Sequence, residues 1–162
     1  MWAKTLIDLG RIDDAIDKYE RAVQKTNDKN EQKDDDVYIS WGNALFELKQ
    51  TSEAPAKYQE AIKLNQYNAE AYLKWGEALS RLEQPERAFG KFKKAVELNP
   101  YNASYAYGKA LMNIKHHEEA MIQFERTINF DRDGTLTDQA WCDIEWLNKH
   151  LQQEEKATQN LP

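Results

Sequence analysis

A five-residue block recurs along this chain at nearly constant spacing. Trp41-Gly42-Asn43-Ala44-Leu45 returns 34 residues later as Trp75-Gly76-Glu77-Ala78-Leu79, and Tyr107-Gly108-Lys109-Ala110-Leu111 follows after a further 32. Behind each block runs a second pattern: Ala54, Tyr58, Ala61; then Ala88, Phe92, Ala95; then Ala120, Phe124, Thr127. Ala15, Tyr19 and Ala22 mark an earlier copy. Spacings of i, i+4, i+7 put each trio on one face of an α-helix. The small residues make room and the ring fills it. A small residue also follows each block's aromatic (Gly42, Gly76, Gly108 and, in the first copy, Ala3), where two helices can approach closely. One helical hairpin cannot bury such faces alone, so the copies must stack.

The period of 34 and the order aromatic–Gly, Ala, aromatic, Ala resemble the tetratricopeptide repeat, over about residues 1–134. The copies fall at about 1–29, 35–68, 69–102 and 103–134, with turns near Gly10, Lys49-Gln50, Glu83-Gln84 and His116. The resemblance implies an all-α, right-handed superhelix of stacked antiparallel helix pairs, about 3.5–4 hairpins in one domain over 1–155. Ala140, Ile144, Leu147 and Leu151 form an apolar stripe after Gly134, predicting a capping helix at about 137–155 with Thr137 or Asp138 at its start. Trp141 lies near that stripe and Trp146 off it, and residues 156–162 read as a disordered tail.

Three irregularities stand out. The first copy starts already inside its first helix, as a piece of a longer array or a shortened cap would. About five extra polar residues fall within Asn27–Asp36. The step into the fourth copy is two residues short, which predicts a trimmed first helix there. Pro85 and Pro55 suit early helical positions, with Ser52 as a cap before Pro55, and Pro100 falls between repeats.

Composition narrows the function. A formal charge of −6 and a pI of about 5.2 weigh against nucleic acid and anionic membrane surfaces. Uncharged runs are far shorter than a membrane span needs. Cys142 is the single cysteine, so no internal disulfide forms, and a buried, inert thiol is expected. With no basic, apolar leader at the start, the expected compartment is the cytoplasm.

The catalytic-looking stretch is Asp131-Arg132-Asp133-Gly134-Thr135-Leu136, which resembles the nucleophile motif of haloacid-dehalogenase-type phosphatases. That family sets the motif at the end of a buried parallel strand. Here Met121–Phe130 carries the helical repeat pattern, and no strand–helix alternation exists to build the sheet. A turn between repeats, built on Asp131 and Gly134, explains the same letters. Counted as a calcium loop from Asp131, the sixth and twelfth places hold Leu136 and Cys142 instead of Gly and Glu. His116 and His117 are adjacent and point apart, unlike metal pairs at i, i+4, and His117 fits a half-buried ring at the start of a helix. Arg87, Lys91 and Lys94 read as a solvated outer stripe. No cofactor, metal or catalytic group is expected.

What remains is binding. In the tetratricopeptide fold the concave wall is made mainly of each hairpin's first helix. The resemblance therefore places a partner-binding groove on Ile39, Asn43, Phe46, Leu73, Lys74, Glu77, Arg81, Tyr105, Lys109 and Met112, with Lys4 and Ile7 from the first copy. Apolar anchors mixed with amides and cations suit a peptide or helix of another protein. Co-chaperone members of the family clamp a C-terminal carboxylate with two Asn and three basic residues. Read from the second copy, Asn43 matches, but Ile39 and Lys74 replace the first Lys and the second Asn, and the last basic pair has no counterpart. No such clamp is expected. Alternatives are a self-assembling structural repeat unit or a small acidic secretion-type chaperone.

Overall fold

The computed structural model describes residues 5–6, 9–28, 34–48, 50–131 and 133–159, with side chains left aside at 12, 25–28 and 154–159. The expectations at Ala3, Lys4, Ile7 and Lys49, and most of the Asn27–Asp36 insertion, lie outside the described residues. Eight helices and no strand occur among those described: α1 (Ile12–Asp28), α2 (Asp35–Glu47), α3 (Ala54–Leu64), α4 (Ala69–Arg81), α5 (Pro85–Leu98), α6 (Pro100–Asn113), α7 (His117–Phe130) and α8 (Thr137–Gln159). The final helix thus continues past the expected end at 155. The chain divides into two compact units, Met1–Ala95 and Val96–Pro162.

The hairpins of the second, third and fourth copies are built the same way. A Cβ placed on Gly42 would come within 2.5 Å of the Tyr58 ring, on Gly76 within 2.8 Å of the Phe92 ring, and on Gly108 within 2.6 Å of the Phe124 ring. The glycine is therefore a socket for the aromatic of the second helix. The alanines on either side of each ring (Ala54 and Ala61, Ala88 and Ala95, with Ala120 and Thr127) are fully buried, and the rings nearly so. In the first unit Tyr19 of α1 stacks on Trp41 of α2 at 6.3 Å and 10°, which joins the first copy to the second.

The turns inside the hairpins also recur. Gly10, Glu83 and Lys115 all have left-handed backbone, with φ of 71°, 56° and 64°. In each, the next residue's N–H donates back across the turn: Arg11 to Leu6, Gln84 to Leu79 and His116 to Leu111, at 2.8, 3.0 and 3.0 Å. This is the Schellman arrangement, which uses carbonyls that the helix end leaves free.

Helix starts are capped by Asp34, Asn68 and Asn99, whose side chains accept from Asp36, Ala71 and Tyr101 backbone N–H groups. Two local expectations are corrected. Ser52 does not cap α3; Glu53 precedes the helix and gives no side-chain cap. The short step into the fourth copy does not trim α6, which has 14 residues against 13 in α4. The link shortens instead: Asn65–Asn68 separate α3 from α4, whereas Asn99 alone separates α5 from α6. Pro100 is the first residue of α6, where its missing N–H costs nothing.

Candidate partner-binding site

In the first unit the expected groove residues come from α2 and α4. Asn43 is half-buried, and its Oδ1 accepts a 2.9 Å bond from the Tyr58 hydroxyl. Burial pushes the Tyr58 hydroxyl pKa up, so it stays a neutral donor. Its Oδ1 being taken, Asn43 keeps its amide N–H donors for other partners. Phe46 is half-buried beneath the Arg81 guanidinium, which lies 3.8 Å from the ring centroid. Lys74 pairs with Glu77 at 3.0 Å, both side chains about one-third exposed. Two expectations are corrected here: Ile39 and Leu73 are 4% and 9% exposed and serve the core. A first helix packs against its own partner and against neighbouring first helices, so little of its circumference remains open.

In the second unit Tyr105 and Lys109 of α6 meet Asp143 of α8. The Tyr105 hydroxyl donates to one carboxylate oxygen and Lys109 Nζ to the other, each at 3.0 Å. Burial first, then the bond to Asp143, pushes the Tyr105 pKa up to about 12. Met112 is half-buried. Tyr105 and Lys109 are thus already engaged by the terminal helix. Asp143 was not singled out in the sequence; its place beside the Ala140–Ile144–Leu147 stripe was the available signal.

The stretch resembling a phosphatase motif is a helix cap. Asp131 Oδ2 accepts from the N–H groups of Leu136 and Thr137 at 2.7 Å each and from the Thr137 hydroxyl at 2.8 Å. These bonds close the start of α8, and Gly134 makes the turn with φ of 75°. Asp133 accepts from the Thr135 hydroxyl and N–H and from the Tyr101 hydroxyl, which hold its carboxyl well below the usual range. A shallow cleft of about 540 Å³ opens beside it, lined by Asn99, Pro100, Tyr101, Phe130 and Asp133.

Other chemistry-bearing residues also hold structural places. His117 sits edge-on to Trp146 at 6.5 Å, and Trp146 stacks on His150 at 3.6 Å. Asp35 accepts from Asn65 and Asn68, tying the start of α2 to the link before α4. Lys91 departs from the solvated stripe expected of it. Its Nζ lies 3.7 Å over the Trp75 ring, as Lys57 Nζ lies 3.4 Å over Trp41. The 34-residue recurrence of Lys57 and Lys91 carried that signal. Cys142 is exposed, not buried.

Hairpins that repeat one aromatic-on-glycine joint define an all-α helical-repeat protein. Residues 42–83 match the TPR repeat family, and solved structures of that kind share the fold. The chain therefore carries a match to that repeat at residues 42–83 and has the tetratricopeptide-repeat fold. A crystal structure of MamA superposes with a TM-score of 0.77 at 19% identity, covering 97% of this chain and 88% of that one. YrrB, described as a TPR protein with an unusual peptide-binding site, gives 0.68 at 24% identity over 96% and 77%. The first TPR of Spaghetti (RPAP3), bound to the HSP90 peptide SRMEEVD, gives 0.66 at 23% identity over 75% and 95%. No curated protein matches the chain. No described helix is long and apolar enough to cross a membrane.

Proposed function

We propose that this chain is a non-catalytic binding module that holds a peptide or helix of another protein against the first helices of its repeats. The observation that carries the reading is the half-open surface on α2 and α4. There Asn43, Phe46 and Arg81 offer an amide donor, a ring and a cation close together. Such a surface supplies apolar area from Phe46 and a planar donor for carboxylates or main-chain carbonyls from Arg81. Peptide binding by YrrB and by the RPAP3 domain supports the same use of the fold. A cytoplasmic setting suits a chain with one exposed thiol.

Phe46→Ala with Arg81→Glu is the test. Affinity capture from native lysate should lose the partners that the wild type retains, while helicity by circular dichroism stays the same. Equal capture by the folded double variant would refute this placement of the site.

A further inference from the structure

The link after α7 departs from the two links before it. Counted along the repeat, Leu64, Leu98 and Phe130 share one place, and Tyr67, Tyr101 and Asp133 share another. The earlier links hold an aliphatic residue and a tyrosine there, whereas the last holds a ring and a carboxylate. Neither departure serves the core: Phe130 is 49% exposed, and Asp133 is exposed. Both line the cleft of about 540 Å³ in the second unit, whose other walls are Asn99, Pro100 and Tyr101.

The carboxylate is held in place with one oxygen open. Thr135 donates its N–H at 3.1 Å and its hydroxyl at 2.6 Å to Asp133 Oδ1. The Tyr101 hydroxyl is shared between Oδ1 and Oδ2, at 2.9 Å from each. The donors therefore gather on Oδ1, and Oδ2 holds only its share of the Tyr101 bond. A carboxylate has about four lone-pair positions, so Oδ2 keeps room for a further donor. Thr135, then Tyr101, also keep the group ionised at neutral pH. A neutral apolar guest would strip water from this charge without replacing it, and an anion would be repelled. A cation with a flat body suits both sides of the cleft: its charge meets Asp133, and its body lies on the rings of Tyr101 and Phe130. Guanidinium does this best, because it donates from a planar fork and stacks on aromatic faces. We propose that this cleft takes an arginine side chain of a peptide partner.

The formal charge of −6 favours such a partner at long range. The cleft lies wholly within the second unit and uses none of Asn43, Phe46 or Arg81, so this reading and the α2–α4 surface can fail separately. The competing cation in sequence is Arg132, which lies outside the described residues. One exposed ion pair with ring contacts is weak, so a single arginine should bind with a Kd of about 1 mM.

The test titrates the full chain with the capped peptide acetyl-Gly-Arg-Gly-amide at low salt and follows amide shifts by NMR. Saturable shifts are expected at Tyr101, Asp133, Gly134 and Thr135. The citrulline peptide keeps the shape without the charge and should bind about three- to thirtyfold more weakly. Asp133→Asn keeps an acceptor for Thr135 and Tyr101 and should weaken binding about two- to fivefold, as should Phe130→Ala. Asp138→Asn changes an exposed carboxylate outside the cleft and should leave binding unchanged. The same spectra report whether each variant is folded. Shifts that do not saturate overturn the proposal, as does equal affinity for the citrulline peptide or for the folded Asp133→Asn variant. Binding that emerges only in Arg132→Gln also overturns it, because the chain's own arginine then fills the cleft.

Discussion

Gly76→Ala and Gly90→Ala make the same chemical change in the same unit and are expected to have opposite effects. Gly90 lies mid-helix in α5 with nothing within 4 Å of an added Cβ. Alanine there gains helix propensity, about 0.8–1 kcal/mol. Gly76 gains the same amount, but its Cβ would sit 2.8 Å from the Phe92 ring. Phe92 is 1% exposed and wedged between Ala88 and Ala95, both fully buried, so the ring has nowhere to retreat. Overpacking of this kind costs about 1–3 kcal/mol. The propensity term cancels between the two variants, so their difference isolates the clash at about 1–3 kcal/mol. Urea denaturation followed by circular dichroism reads it directly. Thermal midpoints should separate by about 2–4 °C per kcal/mol. If Gly76→Ala stabilises as much as Gly90→Ala, the socket is not a tight joint and the packing argument fails.

Two further outcomes follow from turns and caps. Glu83→Gly and Lys115→Gly should each stabilise by about 0.5–1 kcal/mol, because relief of a left-handed non-glycine residue outweighs the added chain entropy; Gly10→Ala should destabilise, and denaturant midpoints check all three. Asp131→Ala should cost about 1–2 kcal/mol as three donors at the start of α8 lose their acceptor. Alanine at the exposed Asp133 should cost less in the same assay.

The sequence made the joints legible because they repeat. Gly42, Gly76 and Gly108 each stand 16 residues before Tyr58, Phe92 and Phe124 in the second, third and fourth copies, and one packing solution explains all three. Exposure on the first helices was less legible. The resemblance puts Ile39 and Leu73 in the groove, yet a first helix is covered on several sides and both are buried. Cys142 shows the reverse error. It follows Ala140 by two residues, about 200° around the helix, so the stripe itself puts it outside; its residue type argued for burial and misled. The engagement of Tyr105 and Lys109 by Asp143 joins residues 38 and 34 apart. No spacing rule within one copy could reach that far.

The hydroxyl of Tyr58 ends on Asn43, one residue past the glycine that holds its ring. The aligned places in the third and fourth copies hold Phe92 with Glu77 and Phe124 with Lys109, so those two copies do not share the polar contact. Recombination has to respect that difference. A crossover in the Asn65–Asn68 link would transfer ring and amide together, whereas one between α2 and α3 would strand a buried hydroxyl opposite a charged side chain. The inheritable module of this chain is the whole hairpin, cut at the links and never at the turns.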